Sequence, residues 1–158
     1  MNAIRFIPFT QMVDTTQKCI KRIEASFAPS FGIKSVHIFW LHELNQNPNG
    51  LTATELANRR MVDRSLISRE MDDLKQQGLV EAQASGKKNY NTRLTLTDKG
   101  REMAKRIDEA AFSIQQETSG HISEEELVGF YTTFEKLRDR LITIATNLNE
   151  KKEKEYEQ

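Results

Sequence analysis

Cysteine is almost missing from this 158-residue chain: Cys19 is its only one. A single thiol excludes an intramolecular disulfide and fits a reducing compartment. Proline is scarce, at three residues, so few positions forbid a helix. No apolar run approaches the roughly 20 residues that span a bilayer. The opening Met1-Asn2-Ala3-Ile4-Arg5 lacks the long apolar core and small-residue cleavage site of a signal peptide. These absences predict a cytoplasmic protein with no membrane partner. A Gly-rich phosphate loop, a nucleophile elbow and a His/acid pair at metal-binding spacing are also missing. Neither an enzyme, a cofactor nor a metal is therefore expected.

Net charge is absent too, since 23 Lys/Arg offset 23 Asp/Glu, but the charge is unevenly spread. Residues 51–106 carry twelve basic and eight acidic residues, whereas residues 107–158 carry six and twelve. The middle can face an anion while the acidic end does something else.

What is present is mostly helical periodicity. Phe9, Met12, Val13, Thr16, Ile20, Ile23 and Phe27 predict a first helix with one buried stripe, closed by Pro29 and Gly32. Residues 35–45 are apolar nearly all round, which predicts a helix buried on several sides. Asn47-Pro48-Asn49-Gly50 reads as a turn. Thr52 and Glu55 form a capping-box pattern for a short helix ending near Arg60. Asp63 is the expected N-cap of the next helix, which buries Ile67, Met71 and Leu74 and stops at Gly78. Residues 79–83 and 93–97 read as strands of a hairpin, the second with Leu94 and Leu96 alternating against Arg93, Thr95 and Thr97. Their turn, residues 85–91, holds Lys87 and Lys88. A helix capped by Thr97 should bury Met103, Ile107, Ala110, Ala111 and Ile114 and end before Gly120. A last one, opened by Ser123 and Glu126, carries a heptad-like stripe from Leu127 through Phe130, Phe134, Leu137, Leu141 and Ile144 to Leu148, which needs a partner helix. Residues 149–158 are nearly all polar and should fray.

The order helix, turn, helix, basic hairpin has a direct physical use. A helix about 10–12 Å across fits the roughly 12 Å major groove of DNA. If Ile67, Met71 and Leu74 face inward, then Arg64, Ser65, Ser68, Arg69 and Asp72 face outward. Arginine pairs bidentately with guanine, and serine reaches bases or phosphates. The hairpin, with Lys87, Lys88 and Arg93, would meet the backbone or the adjacent minor groove. The predicted fold is mainly α with a small β-hairpin wing: a winged helix-turn-helix lobe over 51–100, flanked by helical dimerisation parts at 1–47 and 101–148 and a polar tail at 149–158.

Four stretches, Leu51 to Ala57, Ser65 to Arg69, Leu74 to Val80 and Leu96 to Gly100, occur in the order and spacing by which the chain resembles the MarR family of bacterial transcription regulators. The resemblance covers nearly the whole chain. It implies a homodimer formed by the first and last helices, with residues 63–77 as recognition helix. It also implies binding to a pseudo-palindromic operator in double-stranded DNA, most often as a repressor released by a small-molecule signal. The chain departs from the family at the wing. Lys88-Asn89-Tyr90 stands where an Asp-x-Arg motif is usual, so the family's wing arginine has no counterpart here.

The resemblance also implies a pocket for a small aromatic ligand between the dimer base and the DNA-binding lobe. Its candidates are Phe27, Phe31, His37, Trp40 and His42, with core packing as the alternative for the aromatic residues. His37 and His42 lie about 140° apart around a helix, so they do not share a metal. Some relatives sense peroxide through a first-helix thiol, about two turns nearer the N-terminus than Cys19. Cys19, close in sequence to Lys18, Lys21 and Arg22, is the corresponding redox candidate, against a packing role. A helical protein-interaction module without a DNA role is the other alternative.

Overall fold

The computed structural model describes residues 6–83 and 92–156. It divides into two compact units, residues 1–111 and 112–158. The first holds α1 (Phe6–Phe27), a short 3-10 turn (Ala28–Phe31), α2 (Ser35–Asn45), α3 (Ala53–Arg60), α4 (Arg64–Gln76), β1 (Val80–Gln83), β2 (Arg93–Leu96) and the start of α5 (Asp98–Ser119). The second holds the end of α5 and all of α6 (Glu124–Tyr156). Among the described residues, no helix is long and apolar enough to cross a membrane.

Local chemistry sets the borders of the helix-turn-helix. At the start of α3 the Glu55 amide donates to Thr52 Oγ1 (3.2 Å), and the Thr52 amide donates to Glu55 Oε2 (2.7 Å). This reciprocal pair satisfies donors that a helix start leaves open. The chain leaves α3 through Met61, which holds a left-handed φ of 52°. It leaves α4 through Gly78, at φ 69°, where glycine avoids a Cβ clash. Asp63 occupies the N-cap position of α4, but its side chain makes no capping hydrogen bond. That expected cap is absent because the exposed carboxylate is left to solvent, while the Asp63 carbonyl accepts from the amides of Leu66 and Ile67.

One core runs through the first unit. Trp40, Leu41 and Leu44 of α2 join Leu56 of α3, Ile67, Met71 and Leu74 of α4, Leu79, Leu94 and Leu96 of the hairpin, and Ala104 and Ile107 of α5. Full burial of each large aliphatic side chain contributes about 1.5–3 kcal/mol. The hairpin is antiparallel and pairs Val80 with Leu96 and Gln83 with Arg93. Leu94, Thr95 and Leu96 are all buried, so β2 does not alternate as its sequence suggested. The reason is a neighbour on the other side: Leu51 bridges Leu94 through two backbone hydrogen bonds. Gly50 lies against Thr95, where an added Cβ would come within 2.8 Å of Thr95 Cγ2.

Three other expectations change. No residue of α1 is buried; Phe9, Ile23 and Phe27 are only half-buried, and Met12 and Ile20 are exposed. In α5 the buried residues are Gly100, Ala104 and Ile107, while Ala111 is exposed. The inward face is therefore turned toward Gly100, which lets the helix approach the Leu79 carbonyl. The last helix runs past the expected start of the polar tail at residue 149, to Tyr156. In the second unit, Ser123 and Glu126 form the foreseen cap, with the Glu126 amide 3.3 Å from Ser123 Oγ. The α6 stripe is present and exposed, from Phe134 at 37% to Phe130 at 58%.

Among the described glycines, Gly100 makes the closest backbone approach. A Cβ there would sit 1.9 Å from the Leu79 carbonyl oxygen, a backbone atom that cannot swing aside. Gly100→Ala should therefore destabilise the fold by about 2 kcal/mol or more through strain. Urea unfolding reads this as a lowered midpoint, and an unchanged midpoint would refute the close approach.

Candidate nucleic-acid interface and adjoining cavity

The outward stripe of α4 is as the helical spacing requires. Arg64, Ser65, Ser68, Arg69 and Asp72 are exposed, while Ile67, Met71 and Leu74 are buried. Among the described residues, neither Arg64 nor Arg69 has an ion-pair partner. Ser68 Oγ donates to the Arg64 carbonyl at 3.2 Å, which leaves its lone pairs free.

The acids of α4 are engaged elsewhere. Asp72 pairs with Lys75 at 3.2 Å, Asp73 pairs with Lys34, and Glu70 Oε2 lies 2.9 Å from His37 Nε2. The Lys34 hydrogen bond holds the Asp73 carboxyl below its ordinary range. His37 is fully buried. Desolvation lowers its pKa, and the Glu70 hydrogen bond only partly opposes this. Among the described residues, its Nδ1 has no partner.

Several cations nearby serve the fold. Arg59 pairs with Glu43 and donates to Asn47 Oδ1 at 3.2 Å. Lys99 donates to the Gln77 carbonyl and Arg101 to the Leu96 carbonyl, each at 2.7 Å. Arg93, expected as a DNA contact, donates to the Gly50 carbonyl at 2.6 Å and lies 3.9 Å from Glu55. One side of its guanidinium is thus used to hold the wing against the Gly50 turn. Lys87 and Lys88 lie outside the described residues.

A cavity of about 400 Å³ opens beside α4. Val36, Trp40, Val62 and Leu66 form its apolar wall, and Lys21, Glu24, Ser35 and Arg60 supply its polar groups. The Arg60 guanidinium lies 4.3 Å from the Phe39 ring centre and 5.7 Å from that of Trp40. Trp40 Nε1 is buried without an acceptor. Of the five pocket candidates, Trp40 alone lines this cavity. Phe27 and Phe31 pack edge-to-face at 6.0 Å. His37 faces Glu70, and His42 Nδ1 meets Asp108 at 2.8 Å. Position 42 diverges from 37 and 40 because steps of five and two residues turn it about 140° and 160° around α2. Arg60 was missed: its side chain reaches the cavity from α3, and no spacing rule within α2 registers that. Cys19 is exposed, and its neighbour Lys18 is occupied by Asp14 at 2.6 Å.

A braced helix-turn-helix followed by an antiparallel hairpin defines a winged helix-turn-helix protein. Residues 31–88 match the model of the MarR family. Over that segment the sequence is similar to the MarR family, and over most of its length the chain has the fold of solved MarR structures. A MarR protein from Peptoclostridium difficile superposes with a TM-score of 0.77 at 19% identity, covering 89% of this chain and 92% of that one. A MarR-family regulator from Listeria monocytogenes, solved with a 26mer DNA, gives 0.75 at 18% identity over 89% and 90%. A Staphylococcus aureus MarR in complex with salicylate and kanamycin gives 0.75 at 17% identity over 86% and 91%. No curated protein matches the sequence.

The α3 cap offers a check of this local geometry. Glu55 has its pKa lowered from 4.5, first by the Thr52 amide and then by the Thr52 hydroxyl. A depressed carboxylate stabilises the fold above its unfolded pKa, and that contribution is lost as pH falls through the folded value. Glu55→Ala should cost about 0.5–1 kcal/mol at neutral pH, and the gap from wild type should shrink in acid. Urea midpoints at neutral and acid pH measure it; a gap that widens in acid would contradict the capping box.

Proposed function

We propose that this protein is a sequence-specific, double-stranded DNA-binding transcription regulator that acts as a homodimer in the cytoplasm and has no catalytic role. The observation that carries this reading is the unpaired Arg64/Arg69 stripe on α4, whose acids are paired. The Listeria relative solved with DNA has the same fold. Arg64, Ser65, Ser68 and Arg69 would read base edges and phosphates in the major groove, and Lys87 and Lys88 would meet the neighbouring backbone. Arg93 would brace the wing.

Two apolar surfaces support a dimer. Phe6, Ile7, Met12 and Ile20 are exposed on α1, and Phe130, Tyr131, Leu137, Ile144 and Leu148 on α6. Exposed apolar residues on this scale mark interaction surfaces. A two-fold dimer would place its recognition helices in successive major grooves of a pseudo-palindrome. Repression by promoter occupancy, relieved by a ligand, is the regulatory mode that we assign.

The cavity beside α4 suits a small aromatic acid. Its apolar wall would hold the ring, while Lys21 or Arg60 would pair with the carboxylate. Leu66 belongs both to this cavity and to α4, so a bound ligand can bias the pose of the helix. Such a ligand shifts a population only by its differential affinity for the two poses.

Selection from a random duplex library should enrich a two-fold symmetric site with half-sites about 10 base pairs apart, bound with a steep salt dependence. Arg69→Ala should cost about 1–3 kcal/mol on that site and relax its preference. Binding that never rises above the nonspecific level, even in low salt, would defeat the regulator reading. Trp40 is the only tryptophan, so its fluorescence reports on the cavity directly. Titration with salicylate should change the Trp40 emission saturably, and Arg60→Ala should weaken that binding about tenfold. Equal affinity in the variant would remove Arg60 from the ligand's contacts.

A further inference from the structure

Where α2 crosses α4, three ligating groups converge that no DNA contact uses. His37 comes from α2, and Glu70 and Asp73 come from one face of α4, three residues apart. Each offers a donor atom, and these atoms all lie within 4.8 Å of one another. His37 is fully buried, and the Glu70 side chain is only 13% exposed. Asp73 completes the set from the solvent side, its side chain 37% exposed.

We propose that His37, Glu70 and Asp73 bind a divalent transition-metal cation of the zinc class, which clamps the recognition helix to α2.

One imidazole nitrogen and two carboxylate oxygens suit zinc and its first-row neighbours, whereas magnesium and calcium prefer oxygen alone. Bonds of about 2.0–2.2 Å in a tetrahedron require donor separations of about 3.4 Å. The present 2.9 Å between His37 Nε2 and Glu70 Oε2 must open by a few tenths of an ångström, which side-chain rotation supplies. The place already holds a cation, because the Lys34 ammonium pairs with Asp73. Lys34 is 61% exposed and can swing into solvent as the ion takes its position. Burial disfavours the protonated form of His37, and the neutral imidazole is the form that ligates. Three protein donors leave a fourth position for water, so the site is open rather than structural. Binding at Nε2 leaves the ring proton on Nδ1, which has no partner. That missing brace holds the affinity below that of closed sites and makes the ion exchangeable.

The consequence for regulation rests on the proposed DNA-binding role, but uptake of the ion does not, and the two are measured separately. The full-length chain is freed of metal with a chelator and titrated with zinc by calorimetry, and with cobalt by visible absorption, in the absence of DNA. One equivalent per chain is expected. Glu70→Gln and Asp73→Asn should each weaken uptake at least tenfold, while His42→Gln, at the separate contact with Asp108, leaves it unchanged. Lys34→Met keeps all three donors and removes the competing ammonium, so it should bind several-fold tighter. No uptake by wild type overturns the proposal, as does undiminished uptake in both carboxylate variants. Equal or weaker affinity in Lys34→Met places the ion elsewhere. Operator affinity with and without zinc then tests the clamp: a shift in wild type that vanishes in Asp73→Asn is the expected result.

Discussion

The seating of α4 is the constraint on which the rest depends. Ile67, Met71 and Leu74 are fully buried, and their spacing of four and three leaves one orientation of the helix about its axis. Arg64, Ser65, Ser68 and Arg69 face outward as the geometric complement of that choice. Rotating α4 by one residue would expose Ile67 and bury an arginine, and each change is unfavourable by more than a typical surface contact contributes. This outward face is thus specified by the core beneath it, and α2 supplies much of that core through Trp40, Leu41 and Leu44.

Electrostatics then separates the charges of the first unit by task. Asp73 and Asp72 of α4 are matched to Lys34 and Lys75, and Glu70 is turned inward against the buried His37, so these carboxylates are drawn away from the outward arginines. Arg59, Arg93, Lys99 and Arg101 hold turns and strand ends together, and Arg60 lies over two aromatic rings. A neutral chain can therefore present an unpaired basic stripe. What matters is which cations already have partners, and net charge carries no record of that. The same arrangement places a cavity and a cluster of ligating groups beside α4, one through Leu66 and the other through Glu70 and Asp73.

The sequence disclosed features that act within about one helical turn. Both capping boxes are present, at Thr52/Glu55 and Ser123/Glu126. The bounds of α2, the left-handed Gly78 and the Thr97 hydroxyl that accepts from the Gly100 amide were equally legible. Thr95 was misread because alternation describes a strand covered on one face, and the Gly50 turn lies against Thr95 on the other. The first helix was misjudged for the opposite reason. An apolar stripe shows that a surface avoids water, but it does not show whether the cover comes from within the chain. None of that stripe is buried in a single chain.

By itself the sequence determined the order and type of the elements, the winged helix-turn-helix and the outward face of its second helix. These follow from side-chain spacing and capping, which operate over three or four residues. Only the tertiary structure decided which charges are occupied, that Arg60 and Trp40 share a cavity, and that His37 meets Glu70 across 33 residues of sequence. Such meetings depend on the angle and depth at which helices pack. Those are set by the fit of the whole core, and a periodic pattern along one helix holds no information about them.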